Sequence, residues 1–222
     1  MSLQTVINQN QQTIAFLEAK EYYSAIVSSS SALQCLRSVP PMQHEEHEGN
    51  LLLVPAAKSS VSPSSDNAID HCMLFANIQG HDDIRGNQTF MYSHAIPLPP
   101  NVTDHATITL LLIFNAALAH HLVAMQDKED SPRFLRRANQ LYTLAYNSSE
   151  DIEQNPLFLF AVYNNTALVD LQIGDKDSWN PCVEHLVSIY MVMVDEGCTS
   201  RLRHLQGFLE SLVSSTPTAA AA

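Results

Sequence analysis

The chain is predicted to be mainly α-helical, an array of about seven helices in antiparallel pairs with a long loop and a β-hairpin inserted after the first pair. Three observations lead there. Apolar residues recur at helical spacing over most of the 222 residues. Residues 108–146 hold two successive helical patterns with small faces, Ala116, Ala117 and Ala119 in the first, then Ala138 and Ala145 around Tyr142 in the second. Short polar or Pro- and Gly-marked breaks separate the patterns, so neighbouring helices must turn back and pack closely.

In chain order, residues 5–19 show Val6, Ile7, Ile14, Phe16 and Leu17 on a modestly amphipathic helix. After a turn at Lys20-Glu21 a second helix spans 22–37, with Tyr22, Ala25, Ile26, Ala32, Leu33 and Leu36 inward and Ser28 to Ser31 mostly outward. Pro40 and Pro41 end this pair. Residues 38–70 are rich in Ser, Pro, Glu and His around one apolar patch at 51–57, the composition of a flexible insertion. From His71 the pattern alternates, and 71–100 reads as a β-hairpin whose second strand carries Phe90, Tyr92, His94, Ile96 and Leu98 on one face.

Asn101-Val102-Thr103-Asp104 forms an N-cap cluster ahead of the central pair, 105–147, in which Ser131 is expected to cap the second helix with Pro132 at its first position. A polar link leads to a third pair at 156–195. Its first helix stops at Gly174-Asp175, and Asn180-Pro181 is expected to begin its second. A capping helix at 199–213 and a disordered tail at 214–222 complete the expected single domain.

The pairs repeat. Residues 114–122 align over 163–171, bringing Asn115 over Asn164, and Ala138, Tyr142, Ala145 and Tyr146 align over Cys182, Leu186, Ile189 and Tyr190. On these residues, and on the turn Lys20-Glu21-Tyr22 followed by Ala25, Ala32 and Leu33, the chain resembles a tetratricopeptide-like repeat. It departs from that family at Gln9, where an aromatic belongs, and in its longer second and third turns. The chain is also similar to a group of short diatom proteins, on Ala116 to His121, Leu141 to Tyr146 and Glu184 to Leu186, a likeness that implies no activity.

Composition excludes several roles. With Lys plus Arg at 11 against Asp plus Glu at 23, the net charge of -12 opposes contact with nucleic acid or an anionic membrane, both of which call for a basic face. The four cysteines, Cys35, Cys72, Cys182 and Cys198, form no CxxC pair. The N-terminus lacks a signal-peptide pattern and no unbroken run reaches about 18 apolar residues, so the expected location is intracellular, cytoplasmic or nuclear.

Chemistry is sparse. His44-Glu45-Glu46-His47 lacks the spacing of a zinc helix. His71, His81, Asp83 and His94 would need the hairpin to gather them, and the adjacent His120 and His121 point in different directions. There is no nucleophile elbow, and only 6 Gly leave no phosphate loop. The chain is therefore expected not to be an enzyme and to use no cofactor or metal, a metal-dependent enzyme built on the hairpin histidines being the weaker alternative.

The expected role is a protein-interaction module that binds an extended peptide or a partner helix. The resemblance implies that the first helices of the units line a concave surface. Asn115 and Asn164 would face it, with Ala119 and Leu168 one turn later. An Asn amide there can accept from a peptide N–H and donate to a peptide C=O; equally, both can be spent inside the helix stack. Arg133 and Arg137, with Arg136, form the basic cluster, able to grip a carboxylate or to serve as a solvated face balancing Asp127, Glu129 and Asp130. The structural alternative is a subunit whose apolar surface is buried in a larger assembly.

Overall fold

The computed structural model describes residues 2–39, 91–98, 102–148 and 156–195. The insertion at 41–70, the first strand and turn of the expected hairpin at 71–90, the capping helix at 199–213 and the tail lie outside the described residues. Six helices are described: α1 (Leu3–Glu18), α2 (Tyr22–Arg37), α3 (His105–Gln126), α4 (Ser131–Asn147), α5 (Pro156–Ile173) and α6 (Lys176–Asp195). Each packs on the one before it and the one after it, and α1 also touches α3. The fold is all-α.

Local chemistry sets the ends. Ser2 caps α1, its Oγ accepting from the Thr5 N–H at 3.3 Å. The helix ends at Lys20 with φ +61°, the Glu21 N–H donating to the Phe16 carbonyl at 2.8 Å and the Lys20 N–H to that of Leu17 at 3.1 Å. This paired closure normally recruits glycine, and the end of α5 has one. There Gly174 has φ +86° and the Asp175 N–H donates to the Asp170 carbonyl at 2.9 Å. Asp104 caps α3, its carboxylate accepting from the N–H groups of Ala106 and Thr107 at 3.2 and 2.8 Å.

Two details correct the sequence reading. Helix α6 begins at Lys176, and Pro181 sits inside it. Asp175 captures the Ser178 N–H at 3.1 Å and its hydroxyl at 2.9 Å, so capping starts the helix one turn and a half before the proline. On α2, Ser28 and Ser29 are buried, whereas Val27 is 71% exposed. Small hydroxyl side chains let α2 lie close to its neighbours while returning their hydrogen bonds to carbonyls, Ser28 to Gln9 and Ser29 to Ile26, both at 3.0 Å.

Helix α3 is apolar on all sides because it is surrounded. Helices α2 and α4 flank it, Phe114 meets Phe158 of α5 at 5.6 Å between ring centres, and the 91–98 segment covers a further face. By length and hydropathy α3 could cross a membrane, but 83% of its apolar window is buried within the protein. Helix α4 shows one stripe, Leu135, Ala138, Leu141, Tyr142 and Ala145, and both alanines are wholly buried where helices approach closely. On the last helix Val187, Met191 and Val192 remain exposed.

Candidate peptide-binding face

Between Met91 and Leu98 the chain is neither helix nor strand and bends at His94, and no strand occurs among the described residues. The expected second strand therefore finds different partners at two of its positions. Asn115 of α3 accepts from the Ile96 N–H at 2.8 Å and donates to the Ile96 carbonyl at 2.8 Å. Asn165 of α5 does the same at Tyr92, accepting from its N–H at 3.0 Å and donating to its carbonyl at 3.0 Å. Two side-chain amides thus supply what a neighbouring strand would have supplied, at residues four apart. Fully extended, four residues span roughly 13 Å.

These hydrogen bonds fix both amide orientations. The Ile96 N–H can only donate, so Asn115 presents Oδ1 to it and has Nδ2 for the Ile96 carbonyl and for Oδ1 of Asn10 on α1, at 3.0 Å. Asn10 must in turn present oxygen, which leaves its Nδ2 buried and without an acceptor. Asn165 is filled: Oδ1 also accepts from Asn164 Nδ2 at 3.3 Å, and Nδ2 also donates to the Tyr142 hydroxyl at 3.1 Å. Burial pushes the hydroxyls of Tyr92 and Tyr142 above the usual range, so both are neutral donors and acceptors.

Side chains of the segment enter two apolar clusters. Tyr92, Ile96 and Leu98 join the main core, Tyr92 meeting Phe160 edge-on at 6.2 Å. Met91 enters a smaller cluster with Leu17, Ala25, Leu118, Ala119 and Leu122, flanked by Leu168. The expected alternation fails at His94, which is exposed, because the chain bends there.

Of the candidate residues, Asn115 clamps the segment, Ala119 and Leu168 belong to or pack against the cluster that Met91 enters, and Asn164 donates to Asn165. Successive residues on a helix are rotated by about 100°, so the neighbour of a correct residue points elsewhere. Sequence reading missed Asn165 and Asn10. A repeat alignment shifted by one residue, Asn115 over Asn165, would have found the first and brings Ala117 over Ala167 and Leu118 over Leu168.

Arg133 and Arg137 are exposed on α4 and are not brought to the clamp. They lie close enough to His120 to help depress its pKa to about 4, after burial, the larger cause. His121 is fully buried, and burial likewise lowers it to about 4, with the Gln172 amide offsetting part of the shift although it is too poorly placed to satisfy either ring nitrogen. Asp170, 1% exposed, is raised to about 6 by burial, despite a 2.6 Å hydrogen bond from Asn139 Nδ2. His71, His81 and Asp83 of the possible metal set lie outside the described residues, and among the described residues no three His, Cys, Asp or Glu side chains converge. A separate groove of about 510 Å³ between α1 and α2, lined by Gln9, Phe16, Tyr23 and Val27 among others, carries no carboxylate, histidine or cysteine. Comparison of the chain with protein-family models, curated proteins and solved structures found no match.

Proposed function

We propose that the chain is a protein-interaction module, a tetratricopeptide-like array whose first helices α1, α3 and α5 form a concave face for an extended peptide. One observation carries the reading: Asn115 and Asn165, on alternate helices, each hold both backbone polar groups of one residue in the 91–98 segment. A clamp of this kind acts on the main chain and so accepts any side chain at the held residue, which is how β-strand-like peptide recognition gains affinity without fixing sequence. Specificity then falls to the apolar pockets around it.

Panning a display library of random peptides on the full-length protein tests this. Recovered peptides should lose at least ten-fold in affinity on Asn115→Ala and on Asn165→Ala. Peptides that bind both variants as well as wild type would show that the face is not the binding site.

A further inference from the structure

The face is already filled, by the chain itself. We propose that residues 91–98 are a built-in occupant that a partner segment of the same chemistry displaces; the inference rests on the peptide-face reading and names its ligand and its regulation. The partner is an extended, non-helical protein segment with an aromatic residue at one position, an aliphatic residue four later and an unbranched apolar residue just before the aromatic, as Tyr92, Ile96 and Met91 stand here.

The chemistry of the hold makes exchange possible. All four clamp bonds go to backbone atoms, so an incoming segment reproduces them without matching sequence. Tyr92, Ile96 and Met91 pack among apolar residues, and apolar clusters accept side chains of similar volume. The built-in segment leaves Asn10 Nδ2, which adjoins the clamp through Asn115, buried and without an acceptor among the described residues. Its advantage is attachment, since a tethered segment competes at an effective concentration on the order of millimolar. A free peptide must overcome that, which makes the resting state closed and sets a threshold for the partner.

The test uses a fluorescent peptide of sequence TFMYSHAIPL, the chain's own residues 89–98, and the full-length protein. Tyr92→Ala combined with Ile96→Ala weakens the built-in occupant without touching the clamp. This variant should bind the peptide at least ten-fold more tightly than wild type, and a peptide with Asp at both anchor positions should bind neither. In isotopically distinguishable wild-type protein, saturating peptide should speed hydrogen exchange at the Tyr92 and Ile96 amides. Equal affinity for wild type and variant would overturn displacement while leaving the peptide face standing. Absence of binding to both would overturn the face as well. Should the variant lose its cooperative unfolding transition, the exchange measurement on wild type decides, and unchanged protection under bound peptide refutes the proposal.

Discussion

Asn115 and Ile96 are joined by two hydrogen bonds of 2.8 Å, one in each direction, in a fully buried setting. Replacing Asn115 by Leu keeps the volume but strands the Ile96 N–H, the Ile96 carbonyl and the oxygen of Asn10. Each buried polar group left unpaired costs about 1–3 kcal/mol, so we expect a loss of about 3 kcal/mol or more in urea unfolding. Asn115→Asp should be comparably harmful at neutral pH and partly recover in acid, where the protonated acid regains one donor. A loss below 1 kcal/mol for Asn115→Leu would mean that the segment contributes nothing to the fold.

Lys20 occupies a left-handed conformation that a side chain disfavours, whereas Gly174 fills the equivalent place at the end of α5. Lys20→Gly is expected to stabilise the protein by about 1 kcal/mol, read as a raised melting temperature. A lowered melting temperature would contradict the closure at the end of α1.

Both His121 nitrogens are buried with no well-placed partner among the described residues, and burial depresses its pKa to about 4 from 6.5. Because the folded value is the lower one, its contribution is intact above pH 6.5 and is lost as pH falls toward 4. His121→Leu should flatten the acid side of the stability profile and leave neutral stability equal or higher. A profile unchanged by the substitution would place the acid sensitivity elsewhere.

Asp170 runs the other way. Its folded pKa is raised to about 6 from 3.8, so the stability linked to it is complete below 3.8 and is lost as pH rises through 6. Asp170→Asn keeps an acceptor for Asn139 and removes the buried charge, which should raise stability at pH 7 by on the order of 2 kcal/mol and by much less at pH 4. Equal gains at the two pH values would show that the carboxylate is not the cause.

Much of the helical frame was legible, because its signals are local. Asp104 and the Gly174-Asp175 pair mark ends by capping chemistry, and Ala138, Tyr142 and Ala145 mark a close-packed face by spacing, whereas the start of α1 at Leu3, capped by Ser2, lies two residues before the expected one. What escaped depends on neighbours distant in sequence. Ser28 and Ser29 look like surface residues until α2 is known to lie between α1 and α3. Asn164 and Asn165 are indistinguishable until the rotation of α5 is fixed, and composition alone does not reveal that a strand-like segment pairs with amides instead of a strand.

The two clamps also differ in how far along the chain they reach. Asn115 lies 19 residues from Ile96, and Asn165 lies 73 from Tyr92. Helix pairing in this array joins sequence neighbours and is fast, while closing the longer span costs nearly two further doublings of loop length, about 1 kcal/mol of additional entropy. The Ile96 end is therefore expected to dock first and the Tyr92 end last, after α5 has joined the stack, an order that pulsed hydrogen exchange at the Ile96 and Tyr92 amides would check. Running backwards, the same order makes the Tyr92 end the first to peel away, so that opening begins at α5 and travels toward α1.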